Sequence, residues 1–134
     1  MKWITRKEVE AAAIDSGRAA IECSIAHWRQ LLTATKREVK AFEDWNYEVK
    51  AFEDWTYLAV GDYCALCERY RCADGGGCEI CPVGKIEPCE NHGSIWRNAS
   101  TAFYLWVEGG IAGRQFRKKA KPMLDLLESL EETN

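Results

Sequence analysis

The sequence lacks a long apolar run, and this absence argues against a membrane protein. The longest run, AFYLWV at residues 102–107, is far shorter than the roughly 20 residues of a membrane-spanning helix. Residues 1–10 are mixed and charged, without the basic start, apolar middle and small-residue cleavage site of a secretory signal. The sequence therefore predicts a cytoplasmic protein with no membrane partner.

A strong net charge and a set of catalytic residues are also lacking. The formal net charge of −3 excludes a strong overall attraction to DNA or anionic lipid, although a local basic patch is compatible with it. The two histidines, His27 and His92, are far apart in the sequence. No serine–histidine arrangement, carboxylate pair or Gly-x-x-x-x-Gly-Lys loop accompanies them. These absences predict that the protein is not an enzyme.

Cysteine, in contrast, is abundant and concentrated. Six of the seven cysteines lie in CALCERYRCADGGGCEICPVGKIEPCENH, residues 64–92. Cytosolic thiols stay reduced, so such a cluster favours a metal site over a disulfide framework, and the odd number of cysteines agrees. The segment is rich in glycine and poor in large apolar residues, so burial alone cannot offset the entropy cost of ordering it.

Two Cys-x-x-Cys pairs, Cys64/Cys67 and Cys78/Cys81, are separated by ten residues. A gap of two residues allows both thiolates of a pair to bind one ion at about 2.3 Å, and two pairs complete a tetrahedral zinc site. The spacing therefore predicts a structural zinc ion. Its binding, on the order of 10 kcal/mol in small zinc peptides, would suffice to order the segment.

The ligand set beyond these four cysteines stays open. A single zinc ion would leave Cys72 free, whereas a second ion could use Cys72, Cys89 and His92 without an obvious fourth ligand. Six thiolates could instead share two zinc ions, as in fungal binuclear zinc–cysteine modules. In this chain, however, the gap between the second and third cysteines, Cys67 and Cys72, is shorter than in those modules. An iron–sulfur cluster is a less favoured alternative, because only Cys81-Pro82 matches a ferredoxin pattern.

Helical patterns flank the cysteine segment. Thr5 and Glu8 have the spacing of a capping box, and Ser16 in DSG is placed to break the first helix and cap a second. Apolar stripes at steps of three and four mark two helices. The first contains Ile14, Ile21, Ile25, Trp28 and Leu32, and the second contains Phe116, Ala120, Met123, Leu127 and Leu130. Pro122 should kink this last helix or mark a fresh start.

Residues 38–57 contain a tandem decamer, EVKAFEDWNY followed by EVKAFEDWTY. Its apolar spacing predicts a helical extension. Each copy places an acidic doublet beside a tryptophan, a pairing suited to a basic partner surface or to an ordinary solvated helix face. The candidate partner-binding residues are Glu43, Asp44, Trp45, Glu53, Asp54 and Trp55.

Together these patterns predict a mainly α fold, a small helical bundle with an irregular, metal-stapled cysteine-rich loop segment. We expect one domain over residues 1–134. Its helical N-terminal part covers 5–58, its metal segment 63–93 and its C-terminal helices 94–131.

Several motifs in this order resemble a group of small, uncharacterised bacteriophage proteins with a Ser-Ile-x-x-Trp helix and a cysteine segment containing Cys-x-x-Cys-Pro. They are AIECSIAHW at 20–28, YCALCERY at 63–70, CEICPV at 78–83, Cys89 and the closing helix. The resemblance implies a phage origin, action in the host cytosol, and metal binding by the paired cysteines and Cys89. Cys72 and the duplicated decamer are peculiar to this chain, and the group brings no established activity.

Three functions follow as hypotheses. The first is a non-enzymatic, zinc-binding phage accessory protein that binds, and could inhibit, a host or defence-system macromolecule. The second is a zinc-stabilised nucleic-acid-binding protein, and the third, least favoured, is a zinc-scaffolded nuclease. The cations that could contact phosphates are Arg114, Arg117, Lys118, Lys119 and Lys121. Their simpler interpretation is the solvated side of an amphipathic helix.

Overall fold

The fold is built from α-helices. A computed structural model describes residues 2–49, 65–70, 81–86 and 93–133, and within these ranges it contains helices and no strands. The helices are α1 (Arg6–Asp15), α2 (Gly17–Thr33), α3 (Lys36–Val49), α4 (Ala65–Tyr70), α5 (Pro82–Ile86), α6 (Ile95–Val107) and α7 (Gly113–Thr133). The prediction of a mainly α chain is confirmed.

The starts of α1 and α2 follow the predicted capping signals. The backbone N–H of Glu8 donates to Thr5 Oγ1 at 3.2 Å, and the backbone N–H of Thr5 donates to Glu8 Oε1 at 3.3 Å. Ser16 ends α1 and caps α2, because its Oγ accepts from the backbone N–H of Ala19 at 3.0 Å. Both side chains satisfy N–H groups that have no partner within the helix.

The break at Ser16 corrects the predicted stripe at its first position. Ile14 lies on α1 rather than α2, and it is 84% exposed. Ile21, Ile25 and Trp28 are buried on α2 as predicted. At the end of this helix Leu31 is fully buried, whereas Leu32 is only partly buried.

The last helix runs without interruption from Gly113 to Thr133, with Pro122 inside it. The prediction of a fresh start at this proline is therefore wrong. Pro122 is exposed, so its ring and its missing N–H lie on the solvent side, where they disturb no core contact. The predicted apolar face of α7 is confirmed, with Leu130 only partly buried and Phe116, Ala120, Met123 and Leu127 buried.

Helix α6 lies within the range 94–131 that was predicted for the C-terminal helices. The Oγ of Ser94 accepts from the backbone N–H of Arg97 at 3.1 Å, and the helix gives way to Gly109, whose φ of 87° suits glycine. Its aromatic face packs on α7, where the rings of Trp106 and Phe116 stack with centroids 4.9 Å apart and planes 5° apart. The α6–α7 pair therefore forms a well-packed part of the core.

One hydrophobic core includes residues from both sides of the cysteine segment. Helix α2 packs against α1, α4 and α7, and α7 also contacts α5 and α6. Helix α3 joins the core through Val39 and Phe42, and the Phe42 ring lies 5.9 Å from that of Trp3. The first decamer copy lies in α3 up to residue 47, which confirms its helical prediction, and the second extends into residues outside the described ranges.

None of the helices in the described part of the chain combines the length and the apolarity that a bilayer crossing needs.

Candidate metal centre

One cysteine from each Cys-x-x-Cys pair lies on a short helix or directly beside one. Cys67 lies on α4 and is partly buried, and Cys81 directly precedes α5 and is only 1% exposed. The carbonyl oxygen of Cys81 accepts from the backbone N–H of Lys85 at 2.8 Å, which closes the first turn of α5. Pro82 suits the first position of this helix, because a helix start does not need its missing N–H.

Helix α4 is fixed to the N-terminal helices by contacts that involve no cysteine. Its Ala65 and Leu66 are buried in the core. Nη1 of Arg69 donates to the carbonyl oxygen of Ala13 at 2.8 Å, across 56 residues of sequence. The Tyr70 hydroxyl approaches α2 so closely that a Cβ at Gly17 would lie 3.0 Å from it. The backbone around Cys67 therefore has a defined place beside α1 and α2.

Cys67 and Cys81 line the same small internal cavity. Its volume is about 10 Å³, roughly that of one water-sized sphere. The lining comes from α2, α4, α5, α6 and α7 together with Cys81. It consists of Ser24, His27, Trp28, Leu66, Cys67, Cys81, Val83, Trp96, Met123 and Leu127. The helices thus bring together two thiols that are fourteen residues apart in the sequence.

Two buried polar side chains, Ser24 and His27, share this cavity. Ser24 is 2% exposed, and its Oγ has no hydrogen-bond partner among the described residues. A buried hydroxyl left in that state costs about 1–3 kcal/mol. His27 is 3% exposed, with its ring edge-on to that of Trp28 at 6.3 Å between centroids. His27 therefore occupies a core position.

Cysteine spacing and helical periodicity do not single out Ser24 and His27 as lining residues of this cavity. Their spacing of three residues places them on one face of α2, and that face also carries buried apolar residues. Two polar residues on an otherwise apolar helix face can be recognised from the sequence. Their meaning depends on Cys67 and Cys81, which only the fold brings to the same cavity.

Two side chains of the cavity are of a type that zinc binds, because Cys67 and Cys81 carry soft sulfur atoms. The Ser24 hydroxyl is a further polar group there, without a hydrogen-bond partner in the described chain. The described ranges contain no cluster of three or more His, Cys, Asp or Glu side chains that could hold a metal ion by themselves. The other predicted ligands lie outside the described residues. They are Cys64, Cys72, Cys78, Cys89 and His92.

Cys23 lies on α2 and is partly buried against the hydrophobic core. It does not line the cavity of Cys67 and Cys81. Cys23 therefore packs against the core away from the candidate site.

The predicted partner-binding residues of the decamer fall largely beyond what the structure describes. The backbone of Glu43, Asp44 and Trp45 belongs to α3, but their side chains lie outside the described part. Glu53, Asp54 and Trp55 lie outside the described residues altogether.

The basic run of α7 lies on its solvent side. Its cations, Arg114, Arg117, Lys118, Lys119 and Lys121, are all exposed, while Phe116 and Ala120 between them are buried. Nζ of Lys121 pairs with Asp125 Oδ1 at 2.8 Å, and this hydrogen bond raises the pKa of Lys121. The pattern is that of an amphipathic helix with a basic first half.

No family model, curated protein or solved structure matches this chain. The resemblance to phage proteins therefore stays a prediction from the motifs alone.

Proposed function

We propose that the chain is a non-catalytic zinc-binding protein in which a structural zinc ion attaches the cysteine-rich segment to the helical core. The proposed ligands are Cys64, Cys67, Cys78 and Cys81. The observation that carries the proposal is the shared cavity of Cys67 and Cys81, because each comes from a different Cys-x-x-Cys pair. A single tetrahedral ion requires the two pairs to converge in this way.

A zinc ion bound by four thiolates has no open coordination position, so it stabilises structure and does not activate a substrate. The free energy of binding adds to that of folding, because the ligands are not assembled in the unfolded chain. Cys72, Cys89 and His92 would serve a second ion if one is present.

We further propose that the zinc-bound protein acts by binding a macromolecule, as a phage-type accessory protein directed at a host or defence-system component. The small size of the chain and its thiolate-rich ligand set favour binding over catalysis. The acidic and aromatic decamer at 38–57 offers the residue types of an interface with a basic surface.

Metal analysis of the protein purified under reducing conditions tests the zinc proposal. We expect one or two zinc ions per chain. Cys67→Ser and Cys81→Ser should each lower the zinc content, whereas Cys23→Ser is a matched control that should leave it unchanged. A folded, metal-free wild-type protein, or central cysteines oxidised to each other, would contradict the proposal.

Nucleic-acid binding is the second candidate, favoured by the exposed cations on the first half of α7. Affinity capture from host lysate separates the two candidates, since recovery of a single host protein supports the first and recovery of nucleic acid alone supports the second. For the second candidate, the affinity for nucleic acid should fall steeply with salt. Replacing Arg114, Arg117, Lys118 and Lys119 by glutamine should reduce that salt dependence.

A further inference from the structure

The cavity that Cys67 and Cys81 line has a polar contribution from α2. Ser24 and His27 are three residues apart on this helix and belong to the same lining. Both are more than nine-tenths buried. The Ser24 hydroxyl lacks a hydrogen-bond partner within the described chain, although buried hydroxyls are normally satisfied.

The other buried polar side chains of the described ranges lie elsewhere. They are Ser94 and Ser100, and neither lines this cavity. Ser94 has an evident structural role, because it caps α6. Two of the four buried polar side chains of the described ranges therefore line the cavity that Cys67 and Cys81 share.

We propose that Ser24 and His27 form the outer hydrogen-bonding wall of the metal site. In the zinc-bound protein, the Ser24 hydroxyl and a ring N–H of His27 donate hydrogen bonds to thiolate sulfurs of the site. The Ser24 hydroxyl turns toward a sulfur to do so, because in the described chain, Cys67 and Cys81 included, it has no partner. This inference rests on the zinc site proposed above. It assigns α2, which lies outside the cysteine segment, a part in holding the metal.

The reason is the charge of the site. Four thiolates around a divalent ion carry a net charge of −2, and burying this charge is costly without hydrogen-bond donors. Much of the cavity lining is apolar, including Val83, Met123 and Leu127. Outer donors that stabilise the ligands of a metal typically change its affinity by about 10- to 100-fold.

Ser24→Ala and His27→Phe test the proposal because each removes one donor and keeps an apolar shape. Zinc affinity is measured by competition with a chromophoric chelator, and cobalt(II) absorption reports the ligand set directly. We expect each variant to bind zinc about 10-fold or more weakly, while cobalt absorption at saturation keeps the wild-type pattern. His27→Gln keeps an N–H donor and should restore most of the affinity.

Ser100→Ala is the matched control, since it makes the same change at a buried serine of α6 outside the cavity. Its zinc affinity should equal that of the wild type. If His27→Phe does not fold, Ser24→Ala, which removes a single oxygen atom, still tests whether hydrogen bonds from α2 stabilise the metal site.

Unchanged zinc affinity in a folded Ser24→Ala protein would overturn the proposal. So would an altered cobalt spectrum at saturation in His27→Phe, because it would make His27 a direct ligand. A wild-type protein that binds neither zinc nor cobalt would instead contradict the proposed function, so the two failures are distinguishable.

Discussion

Arg69 donates a hydrogen bond of 2.8 Å from Nη1 to the backbone carbonyl oxygen of Ala13. Ala13 lies in the last turn of α1, where carbonyl groups have no partner within the helix, and a cation there also complements the helix dipole. The bond joins α1 to the helix that carries Cys67. The position of α4 against α1 thus depends on Arg69, which follows Cys67 by two residues.

Arg69→Met should therefore destabilise the protein. The variant keeps the apolar stem and removes the donor, so we expect the free energy of unfolding to fall by about 1–3 kcal/mol, measured by urea denaturation. Arg29→Met is the matched control, because Arg29 pairs with Glu128 at 3.4 Å on the exposed surface. That change should cost less than about 1 kcal/mol. Equal losses for the two variants would disprove the special role of Arg69.

Gly17 and Tyr70 should be energetically coupled. A Cβ at Gly17 would lie 3.0 Å from the Tyr70 hydroxyl, a distance at which one of the two must shift. We expect Gly17→Ala to be less favourable in the wild type than in Tyr70→Phe, where the hydroxyl is gone. A double-mutant cycle of unfolding free energies measures the coupling, expected at about 0.5 kcal/mol or more. Additive effects would show that the hydroxyl moves away without cost.

Local signals in the sequence predicted helix starts well. The capping residues Thr5 and Ser16 occupy the predicted positions, because their hydrogen bonds depend only on neighbours in the chain. The same spacing recurs in Thr35 and Glu38, which cap α3 and were overlooked. The prediction of one apolar stripe from Ile14 to Leu32 was wrong at its first residue, because Ile14 belongs to α1 and the rest of the stripe to α2.

The candidate site could be predicted only in part. The spacing of the cysteines indicated a metal, but the cavity that Cys67 and Cys81 share arises from the packing of α2, α4 and α7. Ser24 and His27 gain their proposed role from this packing. Such a relationship between distant segments cannot be read from the periodicity of one helix.

Removal of zinc should lower the stability of the whole protein, because the proposed site is continuous with the core. We expect a strong chelator to lower the Tm of the wild type and of Cys23→Ser, since metal binding stabilises the folded state. Cys67→Ser should begin with a lower Tm and respond little to the chelator. Differential scanning fluorimetry under reducing conditions measures this, and an unchanged wild-type Tm would contradict the coupling of metal and core.

The capping box of α3 should add to stability above mildly acidic pH. The backbone N–H of Thr35 donates to the Glu38 carboxylate at 3.0 Å, and this bond holds the pKa of Glu38 below its ordinary value of 4.5. The stabilisation from this hydrogen bond is therefore fully present above pH 4.5, and it is lost as the pH falls through the lowered pKa of Glu38. Glu38→Gln should flatten this acid dependence of unfolding, while Glu132→Gln, an exposed change on α7, should not.

Pro122 offers a test of how α7 keeps its continuity. The helix runs through this proline, which provides no N–H for the carbonyl group of Lys118. Pro122→Ala restores the missing bond on the exposed side, so we expect the free energy of unfolding to rise by about 1–3 kcal/mol. The gain is reduced by the greater freedom of alanine in the unfolded chain.

Urea denaturation of Pro122→Ala measures the gain, with Lys119→Ala as a control on the same exposed surface that should stay within about 0.5 kcal/mol of the wild type. A loss of stability in Pro122→Ala would contradict this expectation. It would mean that the restriction proline places on the unfolded chain outweighs the restored hydrogen bond.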